Sequence, residues 1–173
     1  FEGERISLSR SLKCWWPREV SLAKREVRSC GFLIFRKDKD SGKLEFLILK
    51  HSRRLDIPKG HVDKGETDLE CAYRELQEET GFSRRHLRRV SKFRFELKYD
   101  VTDKRDRSKK ARKTLVVFLA RLRNQQYNRT LEITEHRGYE WMKWKPPHKL
   151  QLKTIDPLLA YAEKYLKKNP DAL

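Results

Sequence analysis

Hydrophobic residues in this chain are gathered into short runs separated by charged stretches. Cys30-Gly31-Phe32-Leu33-Ile34-Phe35, the segment 44–49, Phe95-Glu96-Leu97-Lys98-Tyr99 and Leu115-Val116-Val117-Phe118-Leu119-Ala120 have the length and the aromatic and β-branched content of strands. Two stretches are spaced as helices instead. In 68–77, Leu69, Ala72, Tyr73 and Leu76 fall on one apolar stripe that can pack on a sheet. Thr67 is a fitting N-cap with Glu70 three residues on, as in a capping box, and Gly81 stands where that helix would end. The second helix is read over 153–168, beginning near Asp156-Pro157, with lysines in its last turns. Leu158, Leu159, Tyr161, Ala162, Tyr165 and Leu166 suffice for one packed face, so it is read as capping the sheet rather than binding a membrane.

The first helix carries an unusual charge pattern. Between Glu66 and Glu79 stand six acids (Glu66, Asp68, Glu70, Glu75, Glu78, Glu79) and one base, Arg74. Such a cluster repels itself unless a cation sits among it. Glu75, Glu78 and Glu79, at i, i+3 and i+4, project from one helix face, and three converging carboxylates suit a hard divalent cation such as Mg²⁺ or Mn²⁺. A solvated acidic face has the same spacing, so the helix alone does not decide.

The preceding loop favours the metal. Pro58-Lys59-Gly60-His61-Val62-Asp63-Lys64-Gly65-Glu66 holds two glycines, two lysines and a histidine. Glycines let backbone approach a ligand closely, while the lysines and the histidine offer donors to phosphate oxygens. A cationic loop leading into a carboxylate-bearing helix matches a metal-bound polyphosphate.

Gly60, five residues, Glu66, seven residues, then Arg74-Glu75-Leu76-Gln77-Glu78-Glu79-Thr80-Gly81-Phe82 resembles the Nudix box at every defining position. The resemblance covers roughly residues 28–150, leaving 1–27 as an N-terminal extension and 151–173 as a C-terminal helix. It implies an α/β/α sandwich with a mixed sheet between helices, and hydrolysis of a nucleoside diphosphate linked to another group. By the same resemblance Glu75, Glu78 and Glu79 would hold metal with help from the Gly60 carbonyl. Glu66 and Arg74 would pin the loop to the helix, and Glu79, Glu75 and Glu135 are the candidates for catalysis, with Glu79 or Glu135 as the base.

The flanking segments resemble the branch of the family that splits diadenosine tetraphosphate asymmetrically. That resemblance implies Lys59 and His61 on phosphates, Tyr99 stacked on an adenine, and Lys113 near the polyphosphate. Asp56-Ile57 departs from it, standing where an aromatic residue often precedes the Pro-Lys-Gly-His run. Tyr99 as a plain strand aromatic and Lys113 as a solvated strand end remain open.

Charge adds a rival. The chain has 42 Lys+Arg against 25 Asp+Glu, a formal net charge of +17. Residues 83–94 carry six Lys/Arg and no acid, and residues 98–113 carry eight against three acids. The second run, poor in apolar residues, reads as a loop between two strands. Runs of this kind solvate a surface, steer an anionic substrate or contact RNA phosphates. Removal of pyrophosphate from RNA 5′ ends, hydrolysis of diphosphoinositol phosphates, and an RNA-binding Nudix module are therefore the alternatives to a small dinucleotide polyphosphate.

The remaining features narrow the class. Cys14, Cys30 and Cys71 show neither disulfide nor metal spacing, and the histidines have no paired spacing for zinc. No apolar run approaches the ~20 residues that span a bilayer. A soluble, cytoplasmic monomer is expected, with an organelle or the nucleus left open, as is any targeting segment ahead of Phe1. Trp15-Trp16 is read as local packing, with stacking on bases as the alternative.

Overall fold

One mixed sheet of eight strands lies between two helices in the computed structural model, which describes residues 24–52, 54–103, 106–123, 131 and 137–173. Cys14, Trp15, Trp16, Glu135 and His136 fall outside the described residues, as does most of the expected N-terminal extension. In chain order the elements are β1 (Glu26–Lys37), β2 (Leu44–Lys50), β3 (Leu55–Asp56), β4 (Lys59–His61), α1 (Asp68–Thr80), β5 (Leu87–Arg89), β6 (Phe95–Thr102), β7 (Lys110–Leu122), β8 (Tyr139–Lys143) and α2 (Ile155–Lys168). The strands run β3-β2-β1-β7-β5, with β4 paired to β1, β6 to β7 and β8 to β2. Among the described strands, only β1 and β7 pair in parallel. The architecture is the α/β/α sandwich expected from the sequence.

Strand alternation divides the core. Cys30, Phe32 and Ile34 join Cys71, Ala72, Leu76 and Phe82 on the α1 side, while Leu33 and Phe35 join Leu158, Leu159 and Ala162 on the α2 side. Both faces of β1 are thus covered, and its run reads as continuously apolar for that reason.

The α1 ends follow their sequence signals. The Thr67 hydroxyl accepts from the Glu70 amide, the Glu70 carboxylate accepts from the Thr67 amide, and Gly81 closes the helix at φ 72° with its N–H on the Gln77 carbonyl. Leu69 and Tyr73 are partly buried at the margin of the stripe. Helix α2 starts at Ile155, where the Asp156 carboxylate accepts from the Leu150 and Gln151 amides. Tyr161 is less buried than expected, keeping 43 % exposure while its ring meets Phe93 and Phe95 at 5.4 Å.

Only the middle of the second basic run is the loop expected. Residues 98–102 belong to β6 and 110–113 to β7, joined in antiparallel register from Phe95↔Val117 to Thr102↔Lys110. Alternation explains the misreading. Tyr99, Val101, Ala111 and Lys113 share one face, while on the other Arg112 and Lys24 neutralise Asp100 at 2.7 and 2.6 Å. Charged residues occupy the second face of a strand pair, so low apolar content did not mean loop.

Asp68, the first residue of α1, ties that helix to the sheet. Arg28 of β1 grips it with two bonds of 2.5 and 2.6 Å, and Arg94 adds a third at 2.8 Å. Arg28 chiefly, with Arg94, holds the Asp68 carboxyl well below the usual carboxylate range. A depressed pKa contributes stability that is complete above the unfolded value, about 3.9, and is lost as pH falls below it. Asp68→Asn is therefore expected to cost ~1–3 kcal/mol in urea denaturation at pH 7. That gap should narrow as the pH falls below about 4; a gap that stays constant down to pH 2 would refute the ion-pair account.

Candidate active site

The Nudix-like loop and helix meet at the close approach of α1 to β4. A Cβ built on Gly60 would lie 1.9–2.0 Å from the Glu75 carboxyl atoms, so the Glu75 side chain rests directly on the Gly60 backbone. No residue but glycine leaves that space. Cys30 of β1 is the Cα partner of Gly60, which fixes the loop backbone against the sheet.

Arg74 organises the acids around this point. It donates twice to Glu66, at 2.9 Å each, and at 2.8 Å to the His61 carbonyl. Its remaining nitrogen reaches Glu75 at 2.8 Å and Glu78 at 3.1 Å. Arg74 pulls the Glu66 carboxyl below its ordinary range. Among the described residues, no three His, Cys, Asp or Glu side chains are drawn into one ligating cluster in this arrangement.

Glu79 is in a different state. It is only 6 % exposed, and it accepts from the Lys59 amide at 2.8 Å. Burial pushes its carboxyl up to about 7, with the Glu75 and Asp56 charges adding to the push and the Lys59 amide and ammonium opposing it. The Lys59 ammonium is held at 2.7 Å by the buried Asp56, which also has Arg54 at 3.4 Å and His51 at 3.8 Å. The residue that departs from the family pattern, Asp56, thus anchors Lys59 and Arg54, with His51 beside it.

These groups open into one cavity of about 700 Å³. Gly60, His61, Glu75, Glu78 and Glu79 line one part, with Lys59 and Asp56 beside them, and Tyr99 and Lys113 line another, facing each other across β6 and β7. The structure therefore brings together every described residue expected to bind metal or substrate. Glu66, Arg74 and Gly81 are not among the residues that line the cavity, and Glu135 is outside the described residues. Burial raises the Tyr99 hydroxyl pKa, and the Lys153 ammonium lies 5.7 Å from its ring centre. The cavity also takes residues that the sequence did not single out: Arg25, Ser29, His51, Arg54, Gln151 and Thr154. Ser29 is fully buried, and its hydroxyl is the one buried side-chain polar atom without a partner among the described residues. Strand alternation could have found it, since Ser29 sits one residue from buried Cys30 and so faces the other side of β1.

The model of the NUDIX domain matches residues 25–164. The chain belongs to the Nudix family. It is a Nudix pyrophosphohydrolase, and a divalent metal belongs to the chemistry of that family. Among curated proteins it is 35 % identical over 153 residues to the asymmetrical bis(5′-nucleosyl)-tetraphosphatase of Mus musculus, covering 83 % of this chain and 98 % of the mouse protein. It is 38 % identical over 124 residues to the protein of that name from Rattus norvegicus, covering 67 % and 78 %. A solved binary complex of C. elegans Ap4A hydrolase superposes with a TM-score of 0.68 at 28 % identity, covering 82 % of this chain and 98 % of that one.

The Nudix donor set here fits a hard divalent cation, being carboxylates and a backbone carbonyl with no thiolate or imidazole pair among them. The Glu75 carboxylate lies against the Gly60 backbone, while the Gly60 carbonyl accepts from the Cys71 thiol at 3.6 Å.

Two outcomes are expected from this geometry. Gly60→Ala forces Glu75 from its place and should lower turnover at least ~100-fold in steady-state assay. Gly65→Ala, at φ 86° in open space, should cost only ~1 kcal/mol of backbone strain and leave turnover near wild type. The second outcome concerns proton linkage. Between about 4.3, its unfolded value, and about 7, Glu79 holds a proton in the fold that the unfolded chain has lost. Metal-free stability therefore declines as pH rises through that window. Glu79→Gln has no such proton, so its thermal midpoint in EDTA should gain on wild type at pH 8 relative to pH 5. Equal differences at the two pH values would contradict the buried-carboxyl account.

Proposed function

We propose that this chain splits diadenosine tetraphosphate asymmetrically into ATP and AMP in the presence of Mg²⁺. The observation that carries the reading is the single cavity in which the Nudix carboxylates and the Tyr99–Lys113 pair lie together. Its volume suits a ligand of nucleotide size. The similarity to relatives named for this reaction supports the same substrate.

In this reading the Gly60 carbonyl, Glu75 and Glu78 hold the cation, for which Mn²⁺ is the natural substitute. When bound, it neutralises phosphate charge and makes a nearby water more acidic. Glu79 takes the proton from the attacking water. Its pKa near 7 matches the working pH of a general base, and the Lys59 amide fixes its orientation. The water oxygen bonds to the phosphorus next to one adenosine, the bond from that phosphorus to its bridging oxygen breaks, and ATP departs while AMP keeps the new oxygen. Lys59, His61 and Lys113 bind phosphate oxygens, and Tyr99 offers its ring to an adenine. Arg74 and Glu66 keep the loop seated so that these groups stay in register. Hydrolysis at RNA 5′ ends is not favoured: none of residues 83–94 lines the cavity.

The test is product analysis in H₂¹⁸O. ATP and AMP, with the label in AMP, are expected, and two ADP would overturn the proposal. Glu79→Gln should lower kcat by about 10²–10⁴-fold. Tyr99→Ala should act chiefly on KM, raising it about tenfold or more, since a stacked base contributes about 1–3 kcal/mol. An unchanged KM would remove Tyr99 from the binding account.

A further inference from the structure

A second surface lies at the far edge of the sheet, away from the cavity. Strand β5 is the outermost strand beside β7, and its Arg88 is the direct antiparallel partner of Arg121. Arg84 and Arg85 come from the turn just before β5, Arg89 from its end, and Arg123 from the end of β7. Among the described residues, none of these six arginines has a carboxylate partner. Arg89 and Arg123 bond to backbone carbonyls of Ser91 and Leu87, at 3.2 and 3.0 Å, and the Arg84 guanidinium lies 5.5 Å from the Tyr73 ring centre. Several basic residues elsewhere are paired with acids. Lys24, Arg25, Arg28, Arg36, Arg94 and Arg112 each meet an acid within 3.0 Å.

Like charges directly opposite on paired strands destabilise a sheet. Among the described residues no carboxylate offsets the repulsion between Arg88 and Arg121, and an anion bound there would relieve it. The choice of arginine narrows that anion, because the planar guanidinium forks onto phosphate oxygens with two parallel bonds where lysine offers a point charge. The patch also lacks what other partners need. The exposed large apolar side chains among the described residues are Leu152 and Tyr161, both in the α2 region, so nothing here inserts into a bilayer. Protein interfaces centre on apolar and aromatic groups, whereas nucleic-acid interfaces are polar and strongly positive.

We infer that the β5 edge, centred on Arg85, Arg88 and Arg121, is a docking surface for the phosphate backbone of a nucleic-acid strand. It is separate from the catalytic cavity, which none of the six arginines lines. Contact is to phosphates, so binding is salt-dependent and carries little sequence preference. With about four phosphates engaged, the logarithm of affinity should fall with the logarithm of salt at a slope of roughly −3.

The test uses the whole chain and a fluorescently labelled 20-nucleotide RNA, with anisotropy titrations from 50 to 200 mM KCl. Arg85→Glu/Arg88→Glu reverses charge on the patch at two exposed positions. Lys164→Glu/Lys168→Glu makes the same change in net charge on exposed positions of α2. The patch variant is expected to weaken RNA binding at least tenfold and to flatten the slope by about 1.4, at ~0.7 per lost phosphate contact. The α2 variant should weaken binding less than threefold, and both should keep wild-type turnover and thermal midpoint. Equal weakening by the two variants would show that net charge alone acts and would overturn the inference. So would absence of wild-type binding at 50 mM KCl, or loss of binding to phosphatidylserine vesicles in the patch variant while RNA binding stays intact.

Discussion

One guanidinium holds the reactive half of this molecule together. Arg74 is the lone base in a segment of six acids, and it meets Glu66, Glu75, Glu78 and the His61 carbonyl at once. The loop between β4 and α1 takes its course from those bonds. Because Arg74 joins the loop carbonyl to acids on the helix, neither can shift without the other. The same bonds restrain carboxylates whose mutual repulsion would otherwise splay them apart. Gly60 completes the restraint from the other side, since its missing side chain is what lets Glu75 reach the backbone.

Glu79 shows the cost of that geometry. A buried carboxyl with its pKa near 7 is a liability to a metal-free fold at neutral pH, and the nearby Asp56 and Glu75 increase it. The Lys59 amide and ammonium offset part of the penalty. The proposed role of Glu79 as general base would account for a buried carboxyl kept at a position where it costs the fold stability.

Legibility from sequence divides along physical lines. Everything carried by local spacing could be read: the capping box of Thr67 and Glu70, the stop at Gly81, the shared face of Glu75, Glu78 and Glu79, and the apolar strands. What depends on pairing between distant segments could not. Asp56 looked like a substitution in a motif, yet in the fold it is a buried anchor for Lys59 and Arg54, with His51 beside it. Ser29, Arg25, Gln151 and Thr154 meet in one wall only because β1 pairs with β7 and the segment before α2 returns across them. The two ends of the run 98–113 were misread because their pattern alternates cavity-facing residues with ion-paired ones, and an ion pair across strands leaves no hydrophobic trace. Arg88 and Arg121 were visible as charges, but their opposition needed the register of β5 on β7.

The β6–β7 hairpin has a consequence for how such a site can vary. Tyr99 and Lys113 are locked opposite each other by a ladder of register pairs that runs on to Thr102↔Lys110 before the chain turns back. Asp103, just past that last pair, is buried and holds Arg25 of the cavity wall at 3.0 Å, so residues can be added or removed without disturbing a cavity partner only beyond it. The tip is therefore a place where relatives can differ in length and charge at no penalty to the ligand-facing pair. Sequence comparisons that weigh insertions there as divergence in substrate will overstate the distance between enzymes whose cavities are the same.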